Sequence, residues 1–68
     1  MFPKYFYNKA LDILKTKDSL ADINSIDDSY IASPYFVEMD GILYQFWGYP
    51  KGTEDIVGYW VPLKTIRN

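Results

Sequence analysis

Tyr35-Phe36-Val37-Glu38-Met39-Asp40-Gly41-Ile42-Leu43-Tyr44-Gln45-Phe46-Trp47 is the stretch that decides the fold of this chain. Two runs rich in β-branched and aromatic residues flank an Asp-Gly pair. A type I′ turn needs positive φ at both central positions, which Asp and Gly tolerate best, so the pattern predicts a hairpin with a two-residue loop. That loop length fixes the register. Met39 should then oppose Ile42, Val37 should oppose Tyr44, and Tyr35 should oppose Phe46. Pro34 cannot donate to a ladder and marks a strand start or an edge bulge.

Downstream, Pro50-Lys51-Gly52-Thr53-Glu54-Asp55 reads as a polar loop. Ile56-Val57-Gly58-Tyr59-Trp60-Val61 reads as a third strand, stopped by Pro62. If the loop begins after Tyr49, Tyr49 pairs with Ile56, Phe46 faces Tyr59, and Tyr44 faces Val61. Residues 63–68 stay unassigned between a further edge strand and a docked tail. Upstream, Phe6, Ala10, Ile13 and Leu14 recur at helical spacing behind Pro3, which predicts a helix over Pro3–Lys17. Ser19-Leu20-Ala21-Asp22 has the form of a capping box and predicts a short second helix over Leu20–Asp27; one longer kinked helix fits the same residues. Asp27-Asp28-Ser29 is a turn cluster. The fold class expected is α+β, with an N-terminal helix, and a second short one as an option, packed on a three-stranded antiparallel β-meander. At 68 residues the chain is expected to be one small domain.

The expected register puts Tyr35, Val37, Met39, Ile42, Tyr44 and Phe46 on one face, joined by Val57, Tyr59 and Val61. This face belongs under the N-terminal helix. The opposite face would hold Phe36, Glu38, Leu43, Gln45, Trp47, Tyr49, Ile56, Gly58 and Trp60, with the Trp47 indole lying across Gly58. Antiparallel sheets normally alternate apolar and polar faces, and here only Glu38 and Gln45 mark a solvent side. Three accounts of that surplus are open. The second helix or the C-terminal tail crosses it and completes one core; a second copy of the chain covers it; or a different protein docks there, using the Trp and Tyr that dominate interface hot spots. A one-residue slip in the second loop would exchange the faces of strand three, so the place of Trp60 depends on that loop.

Composition narrows the chemistry. The chain has two Trp, seven Tyr and four Phe but neither Cys nor His. Disulfides are therefore excluded, and the usual transition-metal ligands are missing, so no metal or cofactor is expected. The commonest general base and the best nucleophile are missing as well, and the acid pairs Asp27-Asp28 and Glu54-Asp55 sit in turn-like segments. Enzymatic activity is not expected. Asp22–Asp27 fails as a calcium loop for want of glycine at its sixth position. An aromatic cage of Trp47, Tyr49 and Trp60 near Glu54 or Asp55 could hold a cationic group, against the blander reading of plain packing.

The net charge is −2, with no basic residue between Lys17 and Lys51. Asp18, Asp22, Asp27, Asp28, Glu38 and Asp40 all fall in that interval, which disfavours direct nucleic-acid binding. No secretory leader or membrane-spanning run is read, so a cytoplasmic protein is the expectation. The functional expectation is a small protein-binding module, an inhibitor or regulator similar in style to acidic products of phages and mobile elements. Its partner would be another protein, with a nucleic-acid-processing one in view, and its contact residues Phe36, Leu43, Gln45, Trp47, Tyr49, Trp60, Asp27, Asp28 and Glu38. The acids either steer a basic partner or serve only as caps and solvated turns. The alternative is a homodimeric accessory domain that buries its second sheet face against its own copy.

Overall fold

A computed structural model describes residues 2–16 and 18–66. Its elements are a helix α1 (Tyr5–Leu14), a single 3₁₀ turn (Ile23–Ser25), and strands β1 (Ile31–Met39), β2 (Ile42–Lys51) and β3 (Asp55–Thr65). The three strands form one antiparallel sheet in the order β1-β2-β3. This is the α+β meander that the hairpin signal and the helical stripe predict.

The Asp40-Gly41 turn has φ of 56° and 80° at its two centres, as a type I′ turn requires. Met39 pairs with Ile42 and Val37 with Tyr44. The expected pairing of Tyr35 with Phe46 gives way to a bulge: Ala32 pairs with Trp47, and the register shifts between Ala32 and Phe36. Pro34 lies inside this irregularity, on an edge strand, where its missing N–H breaks no central ladder. Side chains take up the backbone groups that the bulge frees. Ser33, itself buried, donates from Oγ to the Phe46 carbonyl at 2.8 Å and accepts from the Tyr35 N–H at 3.2 Å. Gln45 Nε2 donates to the Ser33 carbonyl at 2.8 Å.

The second loop is shorter than expected, and this corrects the faces of β3. Pro50 and Lys51 do not loop out; they pair with Ile56 and Asp55, leaving Gly52-Thr53-Glu54 as the loop, with Gly52 at φ 73°. Pro50 is accommodated because it lies past the last β1 pairing, where β2 has a neighbour on one side only. Tyr49 consequently pairs with Val57 rather than Ile56, and Phe46 with Trp60 rather than Tyr59. Because side chains alternate, this single step exchanges the faces of the strand. Ile56, Gly58 and Trp60 turn under the helix, while Val57, Tyr59 and Val61 turn to the other side.

The core follows from that exchange. Phe6 and Ala10 of α1 are buried against Tyr44, Phe46, Ile56 and Trp60. Phe46 meets Phe6 edge-on at 5.7 Å and Trp60 at 5.3 Å between ring centroids, the geometry aromatic quadrupoles favour. Gly48 pairs with Gly58, and it is the Phe46 ring, not the Trp47 indole, that occupies the space over both. A Cβ at Gly58 would collide with the Phe46 ring and the Trp47 carbonyl, and one at Gly48 with the Val57 carbonyl. The two glycines are thus a slot for a ring.

The helix is shorter than Pro3–Lys17. Phe6 N–H turns back to the Pro3 carbonyl, so Pro3 precedes the helix, and Lys15 and Thr16 close it with i→i−3 bonds to Asp12 and Ile13. The Thr16 hydroxyl donates to the same Ile13 carbonyl at 2.8 Å, the local competition that favours ending a helix. Lys17 lies outside the described residues.

The second helix, and the kinked alternative to it, give way to a strand-like contact. Trp60 N–H donates to the Ser19 carbonyl at 2.8 Å, and Ala21 N–H donates to the Trp60 carbonyl at 3.1 Å, forming a parallel bridge at Leu20. Ser19 is therefore no N-cap; its hydroxyl reaches back to the Leu14 carbonyl at 3.4 Å. A helix this short is marginal on its own, whereas the β3 edge offers fixed partners to both backbone groups. β3 itself runs on through Pro62 with a register shift between Leu43 and Tyr44, and Ile66 N–H reaches the Gly41 carbonyl at 2.9 Å. The previously unassigned 63–66 thus extend the sheet edge, and residues 67–68 lie outside the described residues. Among the described residues no helix is long and apolar enough to cross a membrane.

Candidate functional site

The second sheet face carries three cross-strand rows. Ala32, Trp47 and Tyr59 form one, Phe36, Gln45 and Val61 the next, and Glu38, Leu43 and Lys64 the third, with Tyr49 and Val57 beyond the first. The chain between the Leu20 bridge and β1 crosses the end that holds Tyr49 and Tyr59. Tyr30 packs there, edge-on to Tyr49 at 5.4 Å and stacked on Tyr59 at 5.9 Å and 10°. The face is thus roofed at one end and open at the other.

The crossing segment is held by its own turns. Ser25 donates from both N and Oγ to the Asp22 carbonyl, and Tyr30 N–H closes on the Asp27 carbonyl at 3.0 Å. Asp27 Oδ1 accepts the Ser29 N–H at 2.9 Å, an Asx-type turn. Hydrogen bonds from the Ser29 backbone and hydroxyl hold the Asp27 carboxyl below its ordinary value. Burial, reinforced by Tyr59, Tyr49 and Asp27, pushes the Tyr30 phenol above its ordinary value.

Between segment and sheet lies a cleft of about 300 Å³, lined by Ile23, Ile26, Asp27, Asp28, Tyr30 and Trp47. Trp47 Nε1 donates to Gln45 Oε1 at 3.1 Å, which fixes the indole plane at the cleft wall. At the open end of the face, Phe36 is 48% exposed and Leu43 is half-buried between exposed Glu38 and Lys64. A second groove, of about 580 Å³, runs between α1 and Met39, lined also by Asn8, Leu11, Asp12, Leu14 and Lys15.

The nine expected contact residues therefore separate into groups. Asp27, Asp28 and Trp47 come together in the cleft. Phe36, Glu38 and Leu43 form the open patch. Gln45 is occupied in holding Ser33 and Trp47, and Tyr49 lies against Tyr30. Trp60 is a correction: at 0% exposure, on the helix-covered face, it can touch no partner. The cage of Trp47, Tyr49 and Trp60 near Glu54 or Asp55 is dissolved by the same register step, which puts the two indoles on opposite faces. Tyr30, Ile23 and Ile26 were missing from the expected site. Tyr30 stands at the seam of turn and strand without periodic company, and the two Ile fall inside the expected second helix, Leu20–Asp27.

Comparison with known protein families, with characterised proteins and with solved structures returned no match, so the geometry of the cleft and patch is what informs function.

Proposed function

We propose that this chain is a non-enzymatic protein-binding module, an inhibitor or regulator that works in the cytoplasm by occupying a surface of another protein. The observation that carries this reading is the half-roofed second face. Its covered end packs Tyr30 on Tyr49 and Tyr59, while its open end leaves Phe36 48% exposed. A lone exposed aromatic needs no explanation, but Phe36 lies on the same sheet face as Leu43 and Trp47, opposite the Gln45 that bonds the Trp47 indole. Such a surface has the usual parts of an interface: aromatic anchors, an apolar centre and charged residues at its rim. The acidic interval between Lys17 and Lys51 supports a basic partner surface, such as that of a nucleic-acid-processing protein. The lack of His and Cys supports a role without catalysis.

The test is solution mass together with capture. A concentration-independent monomer that captures a host protein, with capture lost in Phe36→Ser and association slowing steeply with salt, supports the reading. A tight dimer dissociated by Phe36→Ser would replace it with self-association.

A further inference from the structure

We infer that the cleft between the Ile23–Tyr30 segment and the sheet receives the guanidinium of an arginine side chain from the partner; this rests on the binding reading above and names what is bound. Apolar and aromatic residues contribute to the lining: Ile23, Ile26, Tyr30 and Trp47. Asp27 and Asp28 are exposed and line the same cleft, and both add negative charge. A volume of about 300 Å³ lies at the lower end for ligand pockets and suits one side-chain head with part of its stem.

Both aromatic walls are set in advance. Trp47 is tied through Gln45 to the Ser33 carbonyl, and Tyr30 is held by two neighbouring rings. Little rotamer freedom remains to be lost on binding, which is the condition under which small contact areas bind usefully. The charge pattern then selects the occupant. The Asp27 carboxylate accepts from the Ser29 N–H and hydroxyl and stays exposed; Asp28 makes no side-chain hydrogen bond among the described residues. Neither forms an ion pair within 4.0 Å there, where the ion pair found is Lys15–Asp12. An acidic or neutral apolar side chain would leave these carboxylates partly desolvated without compensation. A cation satisfies them.

Guanidinium rather than ammonium follows from shape and hydration. It is planar, stacks on indole and phenol faces, and keeps its N–H groups free in the plane to reach carboxylates at the edge. An ammonium is a strongly hydrated point charge and gains less from aromatic neighbours.

The two tryptophans allow a direct test, because each gives one indole N–H resonance. Acetyl-Gly-Arg-Gly-amide is titrated into the labelled protein, alongside the same peptide with lysine or with citrulline, which is neutral but isosteric. The expected result is a saturable shift of the Trp47 indole N–H in the millimolar range, with the Trp60 resonance unmoved. The lysine and citrulline peptides should bind at least about tenfold more weakly, and Asp28→Asn should weaken the arginine peptide at least about threefold. Asp28 is chosen because its side chain has no hydrogen bond to lose among the described residues. A non-saturating response at Trp47, or equal binding of the three peptides, would overturn the inference. Phe36-dependent capture of a partner alongside such a failure would overturn the arginine site alone and leave the binding reading standing.

Discussion

Trp60 Nε1 donates to the carbonyl of Ala10 at 2.8 Å, a buried hydrogen bond between residues 50 positions apart. It joins the last strand to the helix at the centre of the core. The same residue's backbone N–H and C=O hold Ser19 and Ala21. One side chain and its peptide groups thus tie together helix, sheet and the start of the crossing segment. A domain this small is stabilised by roughly 0.05–0.15 kcal/mol per residue. Replacing a buried Trp by Ala costs about 3–5 kcal/mol. Trp60→Ala is therefore expected to remove a large part of the folding stability and lower the urea midpoint sharply, read by circular dichroism, while Trp47→Phe shifts it only slightly.

The Phe46 ring and the paired glycines form a second such dependence. Gly58→Ala forces the ring out of its slot, with an expected loss of about 1–3 kcal/mol. Because ring and Cβ compete for one space, Phe46→Leu should make the glycine substitution less damaging than it is in the wild type. A double-mutant cycle by chemical denaturation reads this as non-additivity. Simple additivity would show that the close Trp47 carbonyl, rather than the ring, sets the cost of the added Cβ.

Ser33 is the polar counterpart in the bulge. Ser33→Ala leaves the Phe46 carbonyl without the hydroxyl that reaches it from the bulge and the Tyr35 N–H without its acceptor. The expected loss is about 1–3 kcal/mol. Gln45 and Trp47 are held through the Ser33 main-chain carbonyl, which the substitution keeps, so the Trp47 indole N–H resonance should move little.

Two groups in the crossing segment set the pH response. Tyr30 is neutral when protonated and its folded-state value is raised, so its contribution is complete below about pH 10, the unfolded value. It is lost as pH rises from there through the folded value, because the unfolded chain ionises first. Asp27 behaves oppositely: its lowered value contributes above the unfolded carboxylate range and is lost as pH falls through the folded value. Tyr30→Phe should flatten the alkaline limb of a stability–pH curve and leave the acid limb alone. Asp27→Asn should do the reverse.

Legibility in the sequence followed the locality of the signal. Asp40-Gly41 specifies its own backbone, so the first hairpin and its register near the turn could be read directly. The helix stripe is equally local, though Thr16 ended it early through a side-chain hydrogen bond that periodicity does not encode. The β3 register was not legible, because Pro50 argues for a loop unless one knows that β1 has already ended beside it. That one step decided which Trp is core. The crossing segment was hidden for a related reason: Ser19–Asp22 satisfies a capping pattern locally, while the edge of β3 offers a better partner that only the assembled sheet reveals. Of the site, Asp27, Asp28 and Trp47 were identified, yet their meeting place depends on Tyr30 finding Tyr49 and Tyr59.

Hydrogen exchange of the two indole N–H groups tests the central claim, that β3 turns Trp60 inward and leaves Trp47 at the cleft. Trp60 Nε1–H, bonded to Ala10 and fully buried, should exchange only through global unfolding, at the rate of the slowest core amides. Trp47 Nε1–H should exchange by local opening, orders of magnitude faster. Equal rates, or a slower Trp47, would place the register one residue away from the one described and reverse the assignment of the two faces.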